Sequence, residues 1–301
     1  MGDIKMGSTI KRLRLDNYIP VILIAPCLGY IFFFTIFPAA YSMVLSLFSW
    51  HFLTEEMPKF VGINNFVEAF NDSRFLIGLR NTFLIGISAT IIELLLGLFL
   101  ALYLNKSGLF YSVARIICLL PMMATPVGIS WSWRMLFNEQ YGLFNKFVSL
   151  FTGNALPFLS DPSLAIFSIT FVDVWQWTSF MFLLTSAAVQ SLPREPLEAA
   201  DVFGASEWQK IRYIILPMIS PVLVVAFLLR FLEVLKIFDP VFVLTGGGPG
   251  YSSETVTLYT YFVAMKFWSL GYASAIAYIF YAFILILSLM VILRIRGRVR
   301  G

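Results

Sequence analysis

Charge is what this sequence has least of. Asp, Glu, Lys and Arg make up 13% of 301 residues, against about 25% in an ordinary soluble domain. With 59% hydrophobic residues and a mean hydropathy of +0.84, that shortfall argues against a water-soluble globule and for a polytopic membrane protein. The only cysteines, Cys27 and Cys118, both lie in apolar runs. They read as small hydrophobes in helices and give no disulfide framework. The one histidine, His51, follows the first apolar run, and no His/Cys/acid group has metal-ligand spacing, so neither a metal site nor a catalytic group is expected. No G-x-x-x-x-G-K-[ST] occurs, so ATP is expected to be handled elsewhere. Gly246, Gly247, Gly248 and Gly250 fail G-x-G-x-x-G because Tyr251 takes the last position; they read as a loop.

What is present is long apolar runs. Six spans are predicted near residues 18–49, 78–104, 113–137, 164–190, 214–243 and 272–293. Backbone groups in hydrocarbon must be bonded internally, and continuous runs without period-2 alternation favour helices over a closed barrel. The expected class is therefore all-α integral membrane. The first run is too long for a signal peptide and no A-x-A cleavage pattern follows it; Pro38 predicts a kink or tilt. With the N-terminus inside, inner segments carry thirteen Lys and Arg and outer segments six. The positive-inside rule then sets both termini in the cytoplasm and makes "RIRGRVRG" a stop-transfer tail, not a nucleic-acid segment. In the first outer loop a short helix is expected around Phe66 to Phe70. No repeat links the two halves, so an inverted-repeat transporter is not supported.

One polar segment, 191–213, lies between the fourth and fifth spans on the inner side. Pro193 and Pro196 end one helix and start another, with Pro196 in its first turn beside Glu195 and Glu198, where carboxylates favour the helix dipole. Gly204 breaks that helix after about two turns. Ser206 caps a second, and Gln209 completes the S-x-x-Q capping box. Leu197, Val202, Phe203 and Trp208 sit among charges, which predicts a docking patch for another protein or an amphipathic hairpin resting on headgroups.

The stretch "EAADVFGASEWQKIRYIILP" resembles the EAA loop of permease subunits in binding-protein-dependent ABC importers. Glu198, Ala199, Ala200, Gly204, Ile214, Leu216 and Pro217 fit its pattern of E-A-A, three residues, G, nine residues, I-x-L-P. "LLPMMATPVGISWSWRMLFNEQYGLFN", "FDPVFVLTGGGPGYSSET" and "LYTYFVAMKF" are similar to carbohydrate-uptake permeases of the maltose-transporter first-subunit type. That subunit's extra N-terminal helices and large outer domain have no counterpart here, which leaves the sugar unnamed. The resemblance implies a type I importer permease fold (MetI-like). It also implies a second, related permease subunit, two ATP-binding subunits carrying ATP and Mg, and an outer sugar-binding protein docking near the TGGGP segment. Glu198, Ala199, Ala200, Phe203, Gly204, Ser206, Trp208 and Pro217 become the ATPase-coupling residues, seated in a groove of the ATP-binding subunit.

Ionisable groups within a span cost about 2.5–3.5 kcal/mol near the bilayer centre, so they need partners or water. Asp173 lies about 14 Å below the outer start of the fourth span and Arg230 about 18 Å below the outer end of the fifth. Trp177 is one helical turn from Asp173 on the same face. An acid, an arginine and an indole at one depth suit a sugar, and the resemblance points to the same two helices. Asp173, Trp177, Arg230 and Glu233 are the substrate-path candidates. Two alternatives stand beside this. Arg230, Glu233, Lys236 and Asp239 alternate in sign at i,i+3 and could neutralise one another, and Arg230 could pair with Asp173 structurally. Glu93 has no evident partner in the chain and reads as a packing or subunit contact. Trp131 and Trp133 read as interfacial anchors. The function expected is an ABC sugar-importer permease, against a gradient-driven transporter or channel using Asp173 or Glu93 as proton carriers, and an integral membrane enzyme.

Overall fold

A computed structural model describes residues 23–299. Residues 18–22 of the first expected span, the basic residues Lys5, Lys11, Arg12 and Arg14, and Arg300 lie outside the described residues, as do the side chains of Arg294, Arg296 and Arg298. Among the described residues, five helices are long and apolar enough to cross a membrane, or six if a bent pair counts as one span. The chain divides into two compact units, Met1–Ala69 with Val263–Tyr278, and Phe70–Phe262 with Ile279–Gly301.

In the first unit, α1 (Leu23–Leu45) is apolar and unburied, as suits a helix solvated by lipid. Pro38 has no N–H to offer, and the helix widens into a π turn over Phe32–Ile36, where Phe37 N–H reaches Phe32 O. A two-residue antiparallel hairpin follows, β1 (Phe48–Ser49) with β2 (Lys59–Phe60), pairing Phe48 with Phe60. It is a small departure from an all-α chain. The buried Asn65 amide on α2 (Asn64–Asn71) donates to Ser46 O at 2.8 Å and Phe48 O at 2.9 Å. The helix expected around Phe66 to Phe70 is thus present.

The second unit is organised on three long helices. α3 (Ser73–Tyr103) starts at Asp72, whose carboxylate accepts from Arg74 N. α4 (Leu109–Leu119) continues as a 3-10 turn over Leu120–Met123, and α5 (Pro126–Leu136) then leaves at 99°. The expected straight span 113–137 is therefore broken. Pro126 forces Thr125 into extended backbone, and the Thr125 hydroxyl caps the new helix. α6 (Leu143–Thr152) lies in the connection to α7 (Pro162–Gln190), which Asp161 caps.

α8 (Glu195–Val202) and α9 (Glu207–Val234) form the polar hairpin and the span after it. α9 begins at Glu207, just after Ser206, as expected of the second hairpin helix, and stops short of residue 243. Leu235 closes it, and α10 (Asp239–Leu244) starts afresh with Pro240 in its first turn. The expected span 214–243 is thus a helix, a break and a short helix. α11 (Val256–Met265) and α12 (Leu270–Val299) complete the chain.

α3 and α7 meet where small residues let backbones approach. A Cβ on Gly97 would lie 2.7 Å from Met181 Cβ and from Phe182 N. Thr185 Oγ1 crosses the same contact to Gly97 O at 3.1 Å.

Candidate functional site

Three helices each deliver one ionisable group to a buried cluster. Arg230 on α9 donates from Nε to Glu93 Oε2 at 2.7 Å and from Nη2 to Glu93 Oε1 at 3.0 Å. The same Nη2 donates to Asp173 Oδ2 at 2.5 Å. All three residues are buried. The Arg230 guanidinium carbon sits 5.0 Å from the centre of the Trp177 ring, which is half-buried, in cation–π range. Asp173, Trp177 and Arg230 are thus brought together as the depth count expected.

Two expectations are corrected. Glu93, read as unpartnered, makes both bonds of a bidentate pair. The i,i+3 ladder does not form from Arg230: that side chain turns to α3 and α7, while Glu233 pairs with Lys236 at 3.0 Å on the exposed side. Glu233 is therefore not part of the cluster. The signal for Glu93 was available, since an intramembrane carboxylate requires a cation and Arg230 is the one within a span at mid-depth.

Near the cluster in sequence, Gln176 donates to Ala124 O at 3.1 Å, and its Oε1 is buried without a partner. A cleft of about 270 Å³ is lined by Ala124, Thr125, Gly128, Ser132, Trp133 and Trp175. Trp133, read as an interfacial anchor, packs edge-on against the rings of Phe144, Phe171 and Trp175. Trp131 is exposed, with Arg134 over its ring.

The glycine-rich loop is held in one conformation. Gly246, Gly247 and Gly250 have positive φ, and the Gly248–Pro249 bond is cis. Buried Glu254 takes a bidentate pair from Arg74 at 2.6 and 2.7 Å. The Arg74 guanidinium also lies over Tyr251, at 4.1 Å from the ring centre. Asn81 Nδ2 donates to Ser252 O and Glu254 O. None of these partners was foreseen from the sequence.

The polar hairpin is built as its residues dictate. α8 ends in a Schellman motif: Ala205 N bonds Ala200 O at 2.9 Å, Gly204 N bonds Asp201 O, and Gly204 has φ +71. Ser206 Oγ accepts from Gln209 N, and Gln209 Oε1 accepts from Ser206 N at 2.7 Å, closing the capping box. Lys210 braces the two helices through Asp201 at 2.7 Å. Val202, Phe203 and Trp208 are 86%, 88% and 65% exposed. Glu198 and Ala199 are exposed and Ala200 half-buried on α8.

α9 then runs without interruption from Trp208 to Arg230. Pro217 is accommodated by a π turn over Ile211–Ile215, two residues upstream, as at Pro38. Pro221 leaves the Pro217 carbonyl without its helical donor, and Ser220 Oγ supplies one at 2.9 Å. An exposed apolar tip and a buried ionic cluster thus share one rod, about 33 Å apart along its axis.

Residues 93–298 match the profile of the family described as binding-protein-dependent transport system inner membrane component. The chain belongs to that family. Among its relatives, the trehalose/maltose transport system permease protein MalF of Thermococcus litoralis is 33% identical over 97% of this chain and 98% of that protein. The sulfoquinovosyl glycerol transport system permease protein SmoG of Agrobacterium fabrum is 32% identical over 89% and 87%. A bacterial ABC transporter that imports the acidic polysaccharide alginate has the same fold, with a TM-score of 0.82 at 20% identity, covering 98% of this chain and 99% of that one. The permease-family assignment and the type I importer fold are thereby fixed.

Proposed function

We propose that this permease carries a sugar or related carbohydrate across the cytoplasmic membrane, driven by ATP hydrolysed on separate subunits. Relatives named for trehalose/maltose, lactose and sulfoquinovosyl glycerol support the substrate class. The reading rests on one observation: the exposed tip, with Phe203 at the turn and Trp208 on α9, leads directly into the helix that holds Arg230.

Two ATP-binding subunits, carrying ATP and Mg, receive the tip, with Glu198, Ala199, Ala200, Phe203, Gly204, Ser206 and Trp208 at the contact and Pro217 at the root of the rod. Closure of those subunits tilts α9 and with it Arg230, switching the path between the two sides of the membrane. A second, related permease completes the path. Sugar hydroxyls bond to Asp173 and Arg230 while the apolar sugar face lies on Trp177. Both termini are cytoplasmic, and the TGGGP loop, braced by Arg74 and Glu254, faces the outer binding protein. A structural neighbour of the same transporter type is described in complex with a pentasaccharide-bound periplasmic protein, which supports that last assignment.

The test is reconstitution of the chain with its ATP-binding and permease partners, measuring ATP hydrolysis with and without sugar-loaded binding protein. Stimulation is expected, and Gly204→Asp is expected to abolish it while membrane insertion is unchanged. Normal coupling in Gly204→Asp contradicts the assignment of the tip.

A further inference from the structure

The ionic cluster has one acid too many. Glu93 and Asp173 both bond to the single guanidinium of Arg230, and both reach the same Nη2 atom. With both acids ionised the set carries a net charge of −1. It is buried to within a few per cent on three apolar helices. An unbalanced charge there costs several kcal/mol, and buried groups usually neutralise instead. Among the described residues no second cation pairs with it: Lys236, the next along the chain, is exposed and paired with Glu233. Two carboxylates converging on one site remove the excess by sharing a proton.

The geometry also leaves one edge of Arg230 without a protein partner. Arg230 uses Nε and Nη2 on the two acids, and Nη1 has no hydrogen-bond partner among the described residues. The guanidinium stands over Trp177. The edge left for a ligand therefore belongs to an arginine whose charge is already cancelled. Such an edge donates a hydrogen bond to a hydroxyl, but gives an anion no net Coulombic gain.

We propose that Glu93 and Asp173 hold one proton between them, so that the cluster is neutral and its free Arg230 edge selects an uncharged glycoside over an anionic one. In this arrangement Glu93 is a positioning residue: its bidentate bond aims Nη1 away from α3. The ligand half rests on the sugar-path reading above; the proton half does not.

Two measurements on the full chain in lipid nanodiscs decide both halves. Infrared spectra at neutral pH are expected to show one protonated carboxyl stretch that shifts in D₂O and is missing from Glu93→Gln and from Asp173→Asn. No such band in the wild type, or one that survives both substitutions, overturns the shared proton; the wild-type spectrum alone suffices if a variant fails to fold. Tryptophan emission is then titrated with methyl glucoside and methyl glucuronide. Quenching by the glucoside, lost in Trp177→Phe, is expected to be at least about tenfold tighter than quenching by the glucuronide, equivalent to about 1.4 kcal/mol. Equal or tighter glucuronide binding overturns the selectivity. If the carboxyl band is present and neither sugar quenches Trp177, the sugar-path reading and the selectivity both fall while the shared proton stands.

Discussion

Two glycines show how differently single residues act in this chain. Gly97 sits where α3 and α7 touch, and an added methyl meets main chain and Met181 Cβ at 2.7 Å. Gly97→Ala is expected to lower stability by about 1–3 kcal/mol, the range for overpacking, read as an earlier unfolding midpoint in detergent. Gly204 has open space around it but φ +71, so Gly204→Ala is expected to cost about 1–2 kcal/mol through backbone conformation and to act on the hairpin alone. Arg230→Met leaves two buried carboxylates facing each other. It is expected to destabilise by about 3–5 kcal/mol, with much of that recovered when Glu93→Leu and Asp173→Leu are added. The recovered triple variant is expected to stay transport-dead, which separates folding from function.

At this scale the sequence was partly legible. Counting residues from the span ends put Asp173, Arg230 and Trp177 at one level by helical rise, although the count for Arg230 ran across the break that follows Val234. Glu93 lay within the expected span 78–104, and its pairing was hidden because Arg230 already had a candidate partner in Asp173. The Arg74–Glu254 pair escaped because its partners are 180 residues apart and belong to no local pattern.

Among the elements, the hairpin after α7 was the most legible. Its stops and starts are local chemistry: prolines in a first turn, glycine at a C-cap, a Ser206–Gln209 box. Ser206→Ala removes one half of that box and is expected to cost about 1 kcal/mol, seen as faster hydrogen exchange over Glu195–Lys210 with the rest of the chain unchanged. Unaltered exchange there would show that the cap does not hold the tip. The broken third span was not legible, since both sides of the 99° bend are apolar and together read as one span. Pro126 marked a helix start without saying which way the chain leaves. The end of α9 at Val234 was hidden for the same reason: Ile237, in the break, and Val241 and Val243, on α10, keep the run apolar and are buried. Within α9, Ser220→Ala is expected to loosen the helix at Pro221, because Pro217 O then has neither a backbone nor a side-chain donor.

Across the whole molecule, the parts that act are far apart in the sequence and differ in how they are stabilised. The glycine-rich loop is tied down by Arg74, Asn81 and Glu254, so Glu254→Gln is expected to weaken association with sugar-loaded binding protein without lowering basal ATP hydrolysis. Equal association would remove the loop from that interface. The tip at Phe203 and Trp208 is capped and braced but unburied, as the proposed docking surface requires. Arg230 of the ionic cluster and Trp208 of the tip are carried by the same helix, α9, the mechanical route that the proposed function requires.

Inserting two glycines after Lys210 breaks that route and leaves both ends intact. Sugar uptake into proteoliposomes holding the full assembly is the measurement. Uptake is expected to fall to background while the ATP-binding subunits remain bound and hydrolyse ATP; uptake at the wild-type rate with the helix interrupted would contradict the rod.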